Sequence, residues 1–154
     1  MSARTVPAAA VVGAAALAAV LAAAPAGADE ADENRFRAAI AALRAAGPCG
    51  PLRPDPTVAH VAALSNRSTR DYLDHTARHV PVDDPLPVLH DLGDDAGTAI
   101  QVQGFGPDPA TAINGALLQA DTSLTDCSFD RVGTSVLTTA DGTRVLAVAV
   151  LAGR

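Results

Sequence analysis

Beyond residue 30 the apolar positions recur first with a helical and later with a strand period. Phe36, Ala39, Ile40, Leu43 and Ala46 lie three and four apart, which predicts an amphipathic helix over residues 31–46, with Asp29 or Asp32 available to cap it and Gly47-Pro48 to end it. After a proline-rich connection, Asp55-Pro56 supplies an N-cap and a preset first-turn dihedral, and Val58, Val61, Ala62 and Ser65 carry one face toward Tyr72 or His75. Residues 80–95 hold three prolines, a glycine and five aspartates and read as an irregular acidic loop. From Thr98 to Phe105, Ile100, Val102 and Gly104 alternate with Gln101 and Gln103, the period of a strand with one wet face. Asp108-Pro109 repeats the cap-and-proline start, and Ile113, Ala116, Leu117, Ala120 and Leu124 mark a further helix.

The last segment is the clearest. Residues 132–139 and 144–151 flank Ala140-Asp141-Gly142-Thr143, whose Asp-Gly favours the positive dihedrals of a tight hairpin. The second arm, Val145-Leu146-Ala147-Val148-Ala149-Val150-Leu151, is apolar without alternation, so both of its faces need cover. A hairpin strand buried on both faces predicts helices on either side of the sheet: an α/β (α+β) three-layer α/β/α sandwich whose sheet is mostly antiparallel.

Residues 1–28 change the picture of where this domain works. They hold Arg4, an uncharged run from Val6 to Ala24, and Ala26-Gly27-Ala28 before Asp29-Glu30, the pattern of a secretory signal peptide cleaved after Ala28. A retained anchor is disfavoured because the run is mostly alanine and contains Pro7 and Gly13. The expectation is a signal peptide over 1–28, one domain over 29–154, and secretion or association with the cell envelope. In an oxidising compartment Cys49 and Cys127, the two cysteines of the chain, are expected to close a disulfide. The chain has no Lys and is rich in Ala and Arg, a bias of GC-rich bacterial genomes, so Asn66-Arg67-Ser68 is not read as a glycosylation site.

The formal net charge is −6, and aromatic residues make up 3% of the chain. Nucleic acid and anionic membranes demand clustered positive charge, so neither is an expected partner. No Ser stands in a G-x-S-x-G elbow, and Gly104-Phe105-Gly106-Pro107 lacks the lysine and spacing of a phosphate loop. His75 and His79, four apart, would share a helix face as a two-ligand clip, but no Glu stands between them as in HExxH. His60, beside Val61, is expected to be partly buried, and His90 stands among the loop acids.

The order helix, helix, acidic loop, strand, helix, hairpin resembles the CAP superfamily of cysteine-rich secretory, antigen 5 and pathogenesis-related proteins. Leu52-Arg53-Pro54-Asp55-Pro56 resembles the lead into that family's second helix, and Asp71-Tyr72-Leu73-Asp74-His75-Thr76 the segment ending in its first cavity His. Gly97-Thr98-Ala99-Ile100 stands where the family has Gly-Glu-Asn-Ile. Asp108-Pro109-Ala110-Thr111-Ala112-Ile113 is similar to the next helix, and Phe129-Asp130-Arg131-Val132-Gly133 to the start of the following strand.

That resemblance implies a cavity lined by two His and two acids able to hold a divalent cation. Here only His75 matches; Thr98 replaces one acid, Gln119 stands near the other, and residues 120–127 supply no second His. The cavity candidates are therefore His75, Thr98 and Gln119, with no metal and no cofactor expected, since neutral side chains hold Zn²⁺ weakly. The expected function is a monomeric, secreted, non-catalytic domain that binds a lipid or other apolar small molecule, an envelope component or a protein partner. The alternatives are a metal-assisted hydrolase centred on His75, with His79 and an acid such as Asp74, and a structural or antigenic surface protein without ligand.

Overall fold

A computed structural model of the chain describes residues 28–154. Most of the expected signal peptide therefore lies outside the described residues. The order of elements is α1 (Ala28–Ala45), β1 (Arg53–Pro54), α2 (Pro56–Leu73), α3 (Pro85–Asp91), β2 (Thr98–Gly106), α4 (Pro109–Leu124), β3 (Arg131–Thr138) and β4 (Val145–Gly153). Among the described residues no helix is long and apolar enough to cross a membrane.

Three of the four helices among the described residues start from the same device. Asp55, Asp84 and Asp108 sit in extended backbone, each accepts from amides of the first turn, and each is followed by a proline in that turn. The aspartate satisfies amides that have no partner inside the helix, and proline needs none. The capping bonds from Thr111 also hold the Asp108 carboxyl below its ordinary range. The middle case corrects the reading of residues 80–95 as loop throughout, because Asp84-Pro85 starts α3 within it.

The sheet has the order β1-β3-β4-β2. β4 pairs antiparallel with β3 on one side and with β2 on the other, while the two-residue β1 runs parallel to β3. Every position of β4 is buried, as its unbroken apolar run requires. Its alternate side chains feed two cores. Ala147, Ala149 and Leu151 meet Phe36 and Ile40 of α1 and Ala112, Ala116 and Ala120 of α4. Val148, Val150 and Ala152 meet Val58, Val61 and Ala62 of α2 and Leu89 of α3. The molecule is thus a three-layer sandwich with α1 and α4 on one face and α2 and α3 on the other.

Each flanking strand lets one long helix approach closely through a glycine. A Cβ on Gly104 of β2 would collide with the Ala112 carbonyl oxygen and Ala116 nitrogen of α4, and one on Gly133 of β3 with Val58 and Ala59 of α2. Thus α4 seats against β2 and α2 against β3, so the two layers are offset across the sheet.

The α1/α4 layer is fastened at one end. Cys49 and Cys127 form a disulfide, with Cα atoms 5.1 Å apart. Beside it Arg44, 2% exposed, donates to the carbonyls of Gly50, Leu124, Asp126 and Phe129 at 2.7–2.9 Å. Leu43, assigned to the apolar stripe of this helix, is instead 46% exposed, and the arginine next to it goes inside.

Candidate functional site

His75 lies just past the end of α2, at φ +57°, a left-handed conformation that lets the chain turn away from the helix. Its amide donates to Tyr72 O, and the amides of Thr76 and Ala77 donate to Asp71 O. Because the helix stops at Leu73, His75 and His79 do not share a helix face; both are exposed. The His75 ring borders an open depression of about 350 Å³ with Asp74, Thr139, Asp141 and Arg144. Both carboxylates there are already engaged. Asp74 accepts from the amide of Ala140 at 3.2 Å. Asp141 accepts from Thr139 Oγ1 at 2.7 Å and from the amide and hydroxyl of Thr143. Those bonds hold its carboxyl down to about 2, so it stays anionic and unsuited to proton transfer near neutrality.

The other two candidates are elsewhere. Thr98 opens β2 opposite Gly153, at the end of the sheet away from the β3–β4 turn beside which His75 sits. Eight strand residues separate those ends, roughly 25 Å. Gln119 is exposed on α4, in the opposite helical layer from α2, and its Oε1 accepts from the Gln103 amide at 3.2 Å, capping the edge of β2. The structure does not bring His75, Thr98 and Gln119 together. Among the described residues there is no group of three or more His, Cys, Asp or Glu placed to hold a metal ion.

The remaining histidines also differ from expectation. His60 is exposed, because Val58, Val61, Ala62 and Ser65 take the buried face of α2. His90 belongs to α3, with Nε2 2.7 Å from Ala96 O.

One feature that the pattern of residues did not reveal is the cluster around Arg131. This buried guanidinium binds both oxygens of Asp94, at 2.6 and 2.9 Å, and reaches Asp55 at 3.4 Å. It joins the start of β3, the segment after α3 and the cap of α2. The bond to Arg131 holds the Asp94 carboxyl below its usual range, and Asp94 in turn raises the arginine. Only the charge of Asp-Arg pairs was legible beforehand; their meeting across 37 positions is a product of the fold.

A second concavity lies between α2 and β2, where the offset layers leave the sheet uncovered. Asn66, Thr69 and Leu73 of α2, Gln103 and Phe105 of β2, Leu146 and Val148 of β4 and the charged Arg144 line a cavity of about 170 Å³. Phe105 is 70% exposed.

No family model matches the sequence, and no curated protein matches it. Solved structures do. A cysteine-rich secretory protein from Staphylococcus aureus is 15% identical with a TM-score of 0.60, covering 84% of this chain and 40% of that one. An extracellular protein containing an SCP domain from Bacillus anthracis is 12% identical with a TM-score of 0.59, covering 82% and 41%. This chain has a CAP-like fold. An outer surface protein from Borrelia burgdorferi is 19% identical with a TM-score of 0.64, over 81% of this chain and 94% of that one. The CAP-like chain thus matches nearly the whole of one neighbour and about two-fifths of the other two. In this CAP-like fold the positions carried over from the family's ion-binding cavity fall at the end of α2, at the start of β2 and on the outer side of α4.

Proposed function

We propose that the protein is a secreted or envelope-associated, non-catalytic CAP-like module that binds an apolar small molecule. The observation that carries this reading is the dispersal of His75, Thr98 and Gln119 over three separate parts of the molecule, so the positions carried over from the family's cavity do not meet around a common point. Chemistry on a substrate needs such convergence; holding a ligand needs only a shaped, largely apolar recess. The α2/β2 notch is a recess of that kind. The printed descriptions of the neighbours, as outer surface, secretory and extracellular proteins, support the location.

The test is organic extraction of protein recovered from its native host, read by mass spectrometry against a matched blank. A single class of apolar molecule at near-stoichiometric amount is the expected result. Recovery of nothing beyond detergent would overturn the ligand, and hydrolysis of ester or peptide substrates abolished by His75→Ala would overturn the non-catalytic reading.

A further inference from the structure

Arg144 stands where two concavities meet. With Leu73 it borders both the α2/β2 notch and the open depression beside His75. The hairpin fixes its backbone: the Thr139 amide donates to Arg144 O at 2.9 Å, and the Arg144 amide donates to Thr139 Oγ1 at 3.1 Å. Side chains alternate along a strand, so Arg144 continues the row of Val148 and Leu146 on the face that lines the notch. Phe105 and Gln103 of β2 lie opposite Leu146 and Val148. Toward its open end the floor is therefore apolar, Phe105 beside Leu146, and a guanidinium stands just beyond it.

Among the described residues that guanidinium closes no salt bridge. The two carboxylates of the depression are engaged by others. Asp74 accepts from the Ala140 amide, and Asp141 from Thr139 and Thr143. Those bonds from Thr139 and Thr143 keep the Asp141 carboxyl low, and of the lowering influences the charge of Arg144 adds least. On the α2 wall Asn66 donates to Ser135 O and Leu146 O, and its Oδ1, like Thr69 Oγ1, is sealed from solvent. Polar recognition in the notch thus falls to Arg144 and the half-buried Gln103.

A cavity of about 150 Å³ admits a benzene ring, so the notch, at about 170 Å³, suits one ring or a short alkyl chain. A guanidinium matches a carboxylate through two parallel hydrogen bonds. A doubly charged head such as phosphate would bring more negative charge toward Asp74 and Asp141. Resting on the binding-module reading and naming its ligand class, we propose that the α2/β2 notch binds a monocarboxylate with a ring-sized or short-chain apolar body. The carboxylate meets Arg144, and the body lies on Phe105, Leu146 and Leu73. The site is on the other face of the sheet from Gln119 and at the other end of β2 from Thr98.

The experiment is a titration of the purified protein with 3-phenylpropionate, 3-phenyl-1-propanol and 3-phenylpropylamine, one skeleton with a negative, a neutral and a positive head, followed by amide chemical shifts. Saturable shifts at Leu73, Phe105 and Leu146 are expected. The acid should bind about fivefold more tightly than the alcohol, the scale of an exposed ion pair, and the amine most weakly. Arg144→Gln should abolish the preference for the acid and leave the alcohol's affinity unchanged, and Phe105→Ala, at an exposed position, should weaken all three. Equal binding of acid and alcohol, or tightest binding of the amine, would overturn the role of Arg144. Shifts confined to the His75 depression would overturn the placement of the apolar body. If no probe shifts the notch while host-derived protein yields an extractable apolar ligand, this site is wrong and the binding-module reading stands. If extraction is also empty, both fall.

Discussion

The two faces of the sheet are built on different terms. On the α1/α4 face, alanines of α4 lie directly on β2 through Gly104, Phe36 and Ile40 fill the remaining width, and a disulfide with the Arg44 clasp fastens the end. On the α2/α3 face, α2 seats on β3 through Gly133, and only the seven-residue α3 is left to cover β2. It reaches the Ala99 end and leaves the Phe105 end open. Among the described residues, three of the four buried side-chain atoms without a partner, on Asn66, Thr69 and Gln101, belong to residues of α2 and β2. A sandwich can therefore keep one layer for stability and leave its other layer incomplete enough to receive something.

The largest effect should come from removing the fastening of the first face. Replacing both Cys49 and Cys127 by Ser opens a loop of 78 positions, which the chain-entropy model values at about 4 kcal/mol. Urea unfolding should show the loss, and equal stability of the oxidised and reduced wild type would break the comparison. Next come the seats of the long helices. Gly104→Ala and Gly133→Ala each drive a methyl into backbone and should cost about 3 kcal/mol. A tolerated Gly104→Ala would mean that α4 is not seated as described.

Asp94→Asn weakens the anchor of the second face. The loss should be about 2 kcal/mol, less than for a fully orphaned buried charge, because Asp55 remains within 3.4 Å of Arg131. The wild-type carboxyl is held below its unfolded value of 3.8. Its contribution is therefore whole above about pH 4 and is lost as pH falls through the lowered folded value. Asp141, held at about 2, adds an acid-sensitive contribution over the interval from 3.8 down to that value. Acid unfolding followed by circular dichroism should steepen below about pH 4, and Asp94→Asn should flatten that limb. The smallest effect belongs to the notch: Thr69→Val deletes an unpaired hydroxyl and should leave stability unchanged or raise it by less than about 1 kcal/mol. A clear loss would show that the hydroxyl has a partner.

The layered architecture was legible because β4 carries an apolar run that only a doubly covered strand tolerates, and the Asp-Pro pairs mark helix starts by chemistry that acts within four residues. The same signal at Asp84-Pro85 was masked by the neighbouring Pro87 and acids, which made a short helix look like loop. β1 left no trace, since two residues become a strand only by pairing with β3 across the fold. The disulfide followed from counting cysteines. The site was far less legible. A resemblance can transfer His75, Thr98 and Gln119 as sequence positions, but whether they meet depends on where α2 stops and on which layer α4 occupies. The notch was hidden for the same reason, because Asn66 reads as a polar helix residue until the strands claim its nitrogen and strand its oxygen.

β4 lies between β3 and β2, yet it is the last of the four strands in the order of synthesis. Until it is made, β2 has no neighbour to bond with and neither core has a floor. Both helical layers therefore gain their common floor only when this central strand pairs, which ties the two cores into one cooperative unit.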